Sequence, residues 1–320
     1  MDVCSVYSGI GGLDLGFQAA GFHINQAIDM DEYCIQAYKA NISDNIICGL
    51  VKEHIEEFLP HDLLIGGPSC QPYSTLGLMR GLDDERAKAF YDVLEITRKY
   101  HTKVLVLENV ANLLRHQNGE TFRYMEDCLD YFGYYVYHQI LDTKNFGIPA
   151  NRRRVFIVCF RKEYFKHEPF KFPSGFPLKT TLQELLDEIV DTKYFLSKKT
   201  AQNVLDIPSG NGTRLINPTV AKTLTTKIST NNKVTQNTYV TDTKNATDSE
   251  KSTLRRLTPN ECRKLQGFPD SWRQVTSDFQ AYKQFGNAVT VPVAKALAET
   301  IKEYMNKNLI IPTEEGKKNE

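Results

Sequence analysis

Short apolar runs alternate with helical periodicity over the first 160 residues, the pattern of a parallel sheet joined by crossover helices. The runs at 3–7, 24–28, 62–65, 104–108, 134–141 and 154–160 predict strands. Helical spacing predicts helices over 13–20, 31–41, 84–100 and 120–132. In the last of these Phe122, Met125, Leu129 and Phe132 recur at three- and four-residue steps, which sets one apolar face against the sheet.

Beyond residue 160 the periodicity lapses. Lys, Pro, Ser, Thr and Asn dominate 161–253, and only 182–190 reads as a helix. Apolar pairs such as Leu215-Ile216 and Tyr239-Val240 recur there, which favours a small loop-rich domain over a disordered linker. Order resumes at Thr258, a predicted N-cap with Pro259 first in the helix and Glu261 closing a capping box. That helix is expected to run to about Gln266 and to stop at Gly267. After Gln284-Phe285-Gly286-Asn287-Ala288-Val289 comes a final amphipathic helix with Ala294, Leu297, Ile301 and Met305 turned inward. This helix completes the first domain, which is then discontinuous: 1–164 with 253–310, enclosing a second unit at 165–252 and followed by a charged tail at 311–320. The expected fold class is α/β, a Rossmann-like, mixed but mostly parallel sheet with a small loop-rich second domain.

Composition adds limits. A chain of 320 residues suits one large domain plus a smaller one, and 41% hydrophobic with 24% charged residues is ordinary globular usage. No run of about 18 apolar residues occurs, so no membrane span is expected. The amino terminus enters a strand directly, unlike a signal peptide. Cysteines stand singly at 4, 34, 48, 70, 128, 159 and 262, with no CxxC and no zinc-type cluster. Reduced thiols in a cytoplasmic protein without a metal are therefore expected. Net charge is zero, but 1–160 carry 14 basic against 21 acidic groups (−7) and 161–255 carry 15 against 10 (+5). That asymmetry is compatible with a polyanion gripped mainly by the second part.

The candidate chemistry sits at strand ends. The run 62–65 leads into Gly66-Gly67-Pro68-Ser69-Cys70-Gln71-Pro72-Tyr73-Ser74, where two glycines and two prolines stop strand and helix alike. Cys70 thus rides a loop at a strand's carboxyl end, where open sheets bind ligands, and is a candidate nucleophile rather than a packing residue. The turn Ser8-Gly9-Ile10-Gly11-Gly12 lets a ligand approach the backbone and offers free helix N–H groups. It fails the dinucleotide fingerprint, because Asp14 occupies the third glycine position. Asp29, about 20 residues on, suits ribose hydroxyls, so a nucleoside-type cofactor without a phosphate cradle is expected.

Together these motifs resemble the cytosine-C5 DNA methyltransferases over about residues 1–160 and 253–306. Tyr7-Ser8-Gly9-Ile10-Gly11-Gly12 looks like that family's first motif, Gly66-Gly67-Pro68-Ser69-Cys70-Gln71 like its nucleophile loop, and Glu108-Asn109-Val110 like its Glu-Asn-Val motif. Asn151-Arg152-Arg153-Arg154-Val155-Phe156 looks like the paired-arginine motif. Leu257-Thr258-Pro259 through Gln266-Gly267-Phe268-Pro269, and Gly286-Asn287-Ala288-Val289, match the ninth and tenth motifs. Any one of these is a weak signal; all of them in the family's order are not.

The resemblance implies the S-adenosylmethionine-dependent methyltransferase fold, with S-adenosylmethionine as co-substrate, no metal, and double-stranded DNA as substrate. It implies a target-recognition domain at 165–252, a cognate restriction endonuclease as functional partner, and a monomer. Cys70, Glu108, Arg152 and Arg154 would be catalytic. The Cys70 thiolate would add to cytosine C6 and make C5 nucleophilic, and Glu108 would hydrogen-bond or protonate ring N3. Arg152 and Arg154, alternating on one strand, would face the site, with Arg154 near the cytosine carbonyl oxygen. Tyr7, Ser8, Gly9, Gly11, Gly12, Asp29, Met30, Pro68, Asn287, Ala288 and Val289 would hold the cofactor. Gln71, Ser74 and Asn109 would hold the substrate, whose target base must leave the duplex.

Three positions depart from the family pattern: Ser69 replaces a second proline, Ala150 replaces the glutamine that opens the arginine motif, and Leu50 replaces an aspartate for the adenine amino group. The branch that acts on tRNA carries a Cys-Phe-Thr signature, absent here, and a catalytically silent DNA-binding relative would not keep the whole catalytic set.

Overall fold

The computed structural model describes residues 1–68, 88–207, 215–226, 228 and 237–310. The apolar runs form β1 (Asp2–Val6), β2 (His23–Asp29), β4 (Leu63–Gly66), β5 (Val104–Val110), β6 (Tyr134–Asp142) and β7 (Arg153–Arg161). One strand the alternation does not reveal, β3 (Ile46–Cys48), is too short to show a period. The seven make one sheet in the order β3-β2-β1-β4-β5-β7-β6. Pairing is parallel from β3 to β5, and β7 runs antiparallel between β5 and β6.

The central strands are buried on both faces, which is why they read as continuous apolar runs. Along β5, Val104 and Val106 enter one core and Leu105 and Leu107 the other; along β7, Phe156, Val158 and Phe160 oppose Val155, Ile157 and Cys159. The first core is covered by α1 (Gly12–Ala19) and α8 (Val291–Asn308), the second by α3 (Lys88–Lys99) and α4 (Glu120–Tyr131). Ala294, Leu297, Ile301 and Met305 are all buried, so the two ends of the described chain close one layer, as the pattern predicts. A further helix, α2 (Glu32–Asn41), packs Ile35 and Tyr38 on the β2–β3 edge. Residues 84–87 of the predicted third helix lie outside the described residues.

A second sheet follows, with β8 (Phe195–Ser197), β9 (Leu215–Ile216), β10 (Thr238–Thr241) and β11 (Lys251–Arg256) in the order β8-β11-β10-β9. Helix α5 (Lys198–Leu205) packs Ala201 and Val204 on its Leu196, Tyr239 and Leu254. Residues 165–176 pack on the first core instead: Phe165 and Phe170 join it, and Phe176 rests on Phe146.

The predicted capping box opens α6 (Pro259–Leu265): Thr258 Oγ1 accepts from Glu261 N at 3.1 Å, and Glu261 Oε2 accepts from Thr258 N at 2.8 Å. The same fully buried Glu261 accepts from Arg255 at 2.8 and 2.9 Å, and Arg255 Nε reaches Asp242 at 2.9 Å.

One expectation is corrected. Residues 182–190 are not a helix, apart from a 3-10 turn at Gln183–Leu185. Their backbone donors serve other segments: Leu182 N donates to Thr219 O at 2.8 Å and Asp187 N to Glu261 Oε1 at 2.9 Å. Conversely, a helix that the sequence reading does not predict, α7 (Asp278–Asn287), capped by Ser277, precedes the last one. Its buried Ala281, Tyr282 and Phe285 lie too close to Gly286 to signal a helix from the sequence. No helix among the described residues is long and apolar enough to cross a membrane.

Candidate active site

Because β1 pairs with β2 on one side and β4 on the other, the chain diverges at this point and leaves a crevice at the strand carboxyl ends. A cavity of about 490 Å³ occupies it, a size typical of small-molecule sites. Antiparallel β7 begins where β5 ends, so the arginines at its start reach the same rim.

Tyr7, Ser8, Gly9, Gly12, Asp29, Met30, Pro68, Glu108, Asn109, Arg152, Arg154, Asn287, Ala288 and Val289 all line this cavity. Gly11 stands just behind it as the N-cap of α1. Cys70, Gln71 and Ser74, like Ser69, lie outside the described residues. Leu50 is exposed at the start of a 3-10 turn, and buried Ala150 pairs with Ala221.

At one end the turn after β1 is held by the end of β2. Gly9 and Gly11 take φ values of 55° and 77°, a left-handed turn that side chains resist. Asp29 fixes it, accepting from Gly9 N at 2.7 Å and Asp31 N at 2.9 Å. Burial raises the Asp29 pKa, opposed by those backbone N–H groups. A carboxylate oxygen has two acceptor sites, so each still has one for a hydroxyl. Met30 is exposed beside it, and the Tyr7 hydroxyl donates to Asp92 on α3 at 3.1 Å. Gly12 lets the far wall close: a methyl there would lie 2.1 Å from Val289 O. This acid, glycine turn and exposed thioether fit the ribose and base of a nucleoside cofactor.

The sequence reading missed several lining residues. Lys283 Nζ donates to Asp31 Oδ2 at 2.7 Å and Gln284 Nε2 to Tyr33 O at 2.9 Å, holding α7 across the cavity mouth. Asp31 was legible as a helix cap, and it accepts from Tyr33 N; nothing local points to Lys283, whose partner is 252 residues away. Asp14 sits beneath the turn, fully buried, accepting from Ser5 Oγ at 3.0 Å and Tyr38 OH at 2.9 Å. Burial pushes its carboxyl up to about 6, against those two hydrogen bonds.

At the other end Glu108 is buried, with Arg154 Nε 3.0 Å from its Oε1. The contact is an ion pair, and that oxygen lacks a well-aligned hydrogen bond among the described residues. Burial raises the Glu108 pKa, opposed by the charges of Arg154 and Arg152. A methyl on Gly67 would lie 3.4 Å from Glu108 Oε2, so the carboxylate stands beside the segment that leads to Cys70. Asn109 ties the same segment down: its Nδ2 donates to Pro68 O at 3.0 Å and its Oδ1 accepts from Val110 N at 2.9 Å.

Arg154 and Arg152 both line the cavity, yet Arg152 is held differently. It precedes β7 by one residue, and its guanidinium is buried against main-chain carbonyls. Burial and the Arg154 charge lower its pKa to about 9, opposed by Glu108. Its Nε has no partner among the described residues. The site thus offers a small-molecule cavity at one end and, at the other, a carboxyl that keeps its proton to raised pH beside two cations.

A family model described as C-5 cytosine-specific DNA methylase matches residues 1–303. The type II methyltransferase M.SsoII of Shigella sonnei is 35% identical over 305 residues, spanning 92% of this chain and 78% of that protein. M.NlaX of Neisseria lactamica, also a type II methyltransferase, is 33% identical over 315 residues, 95% of this chain and 97% of that one. Among solved structures, the S. pombe Dnmt2 methyltransferase superposes with a TM-score of 0.74 at 20% identity, over 96% of this chain and 99% of that one. A putative DNA modification methyltransferase encoded within an E. coli prophage gives 0.72 at 18% identity, over 96% and 99%. At such identities the structural likeness speaks for the methyltransferase fold.

Proposed function

The chain belongs to the C-5 cytosine-specific DNA methylase family, and from that premise we propose that it methylates C5 of a cytosine extruded from a specific duplex sequence, through a transient bond between Cys70 and ring C6. The reading is supported most by Glu108, a buried carboxyl with one oxygen lacking a well-aligned hydrogen bond, beside the segment that precedes Cys70.

S-adenosylmethionine supplies the electrophilic methyl group, carried on a sulfonium. Asp29 would hold the ribose hydroxyls, and Met30, Tyr7 and residues 287–289, which line the same cavity, would hold the adenine. At the other end the Cys70 thiolate adds to C6. The displaced electron pair moves to N3, where Glu108 delivers its proton, and Arg154 stabilises charge on the adjacent carbonyl oxygen. The enamine carbon C5 takes the methyl group. Loss of the C5 proton to a base then re-forms the C5–C6 double bond and expels the thiolate, while the N3 proton returns to Glu108. Asn109 acts by tethering Pro68 rather than by touching the base. Gln71 and Ser74 contact the target nucleotide from the loop that carries the nucleophile.

The catalytic unit is taken as 1–164 and 253–310, and 165–252 as the part that reads the DNA, although 165–176 pack on the first core and β11 of the second sheet runs on to Arg256. The type II relatives support a role in a restriction-modification system. In this reading the chain is a cytoplasmic monomer whose endonuclease partner is functional rather than bound. Bisulfite sequencing of DNA from a host expressing the chain tests the function: protected cytosines should share one sequence context. Uniform conversion would refute it.

A further inference from the structure

The Arg152 side chain joins three segments. Its Nη1 donates to Leu224 O at 3.3 Å and Gly286 O at 3.1 Å, and its Nη2 to Asn287 O at 3.4 Å and Ala288 O at 2.7 Å. Three of these carbonyls end α7, where unpaired C=O groups and the helix dipole favour a cation. The fourth belongs to residues 221–226, which run beside the turn before β7. Ala221 N donates to Pro149 O at 2.8 Å, Asn151 N donates to Ala221 O at 2.9 Å, and Thr223 Oγ1 donates to Asn151 O. Gly286 leaves no slack: a methyl there would lie 2.6 Å from the carbonyl carbon of Thr225 and 2.7 Å from Thr226 N. The recognition segment and the cavity wall therefore meet around a single charge.

We propose that Arg152 is a positioning residue, a pin that locks residues 221–226 to the cavity wall at 286–288, so that cofactor affinity and DNA affinity depend on one junction. The proposal rests on the methyltransferase reading for the identity of the two ligands. Arginine suits the task because its planar fork spreads donors over several directions, whereas a lysine ammonium offers three donors from one point. A direct contact between the open Nε and the target base is the competing outcome, and kinetics separate the two.

The test uses the full chain with Arg152→Lys and Gly286→Ala, compared with Arg154→Lys. Calorimetry with S-adenosylhomocysteine and filter binding with unmethylated plasmid DNA read affinity without chemistry; steady-state kinetics read turnover. Both junction variants should lose about tenfold or more in affinity for each ligand, and this loss should exceed any loss of kcat at saturation. Arg154→Lys should lose kcat and keep both affinities. Unchanged affinities in the junction variants, with or without a collapse of kcat, would overturn the pin, as would loss of affinity for one ligand alone. Should Arg152→Lys not fold, Gly286→Ala decides by the same criteria, since it leaves every charge in place. A parent chain that binds both ligands and methylates nothing would contradict the methyltransferase reading, while the binding arms still decide on the pin.

Discussion

Arg154 Nε stands 3.0 Å from Glu108 Oε1 as an ion pair, yet that oxygen has no well-aligned hydrogen bond among the described residues. A buried acceptor left open costs about 1–3 kcal/mol. The fold tolerates that cost at the rim of the cavity, where a bound ring edge would remove it. The neighbouring cation is close enough to stabilise charge without completing the carboxyl's hydrogen bonding.

Replacing Glu108 by Gln should therefore slow turnover by about 10²- to 10⁴-fold, the usual worth of a general acid, with DNA affinity changed by less than about threefold. Burial raises the Glu108 pKa and the arginine charges oppose it. In the proposed mechanism the protonated form is the active one, so turnover at saturation should fall as pH rises through that raised pKa. Glu108→Gln should lack this limb. Equal losses of turnover and DNA affinity would assign Glu108 a structural role instead.

Asp14 gives a stability signature. Its folded-state pKa is raised by burial to about 6 from an ordinary 3.8. The native state thus binds a proton that the unfolded chain releases, so stability rises as pH falls from about 6 toward about 4. The gain between pH 7.5 and 5 should be about 1–2 kcal/mol and should vanish in Asp14→Asn. Denaturant unfolding at the two pH values measures it; an identical pH dependence in parent and variant would contradict the assignment.

The sheet and much of the cavity were legible because their signals are local. Runs such as 104–108 are buried on both faces, Thr258-Pro259-Asn260-Glu261 spells a helix start, and Gly9 and Gly11 stand where the backbone turns left-handed. What escaped depends on contacts between distant residues. Lys283 gains its meaning from Asp31, 252 positions earlier, and Arg152 from carbonyls 72 to 136 positions later. The predicted 182–190 helix failed for the same reason: its backbone donors answer to Thr219 and Glu261.

The Arg255–Glu261 pair sits at the join between the second sheet and α6 with almost no exposure. Glu261 also closes the capping box. Glu261→Ala should destabilise the protein by about 3 kcal/mol, because the buried guanidinium keeps only Asp242 as a charge partner. Thr258→Ala, which removes a cap, should cost about 1 kcal/mol. Chemical denaturation midpoints compare them, and similar losses in both would show that the ion pair contributes little.

The Lys283–Asp31 pair is half-exposed, so its worth to stability is at most about 1 kcal/mol. Its place at the cavity mouth gives it a different effect. Lys283→Met should weaken S-adenosylhomocysteine binding by about threefold to tenfold while leaving the unfolding midpoint nearly unchanged. Calorimetry checks the first part and thermal unfolding the second; unaltered affinity would remove the pair from the cofactor site.

The most direct test of a transient sulfur–carbon bond is to let it form and stop there. Duplex DNA carrying 5-fluorocytosine in the protected context, incubated with the full chain and S-adenosylmethionine, blocks the final loss of a proton from C5. Denaturing electrophoresis followed by peptide mass spectrometry should then find the protein joined to the DNA through the peptide containing Cys70, and no adduct in Cys70→Ala. An adduct at another cysteine, or methylated product without any adduct, would contradict the account.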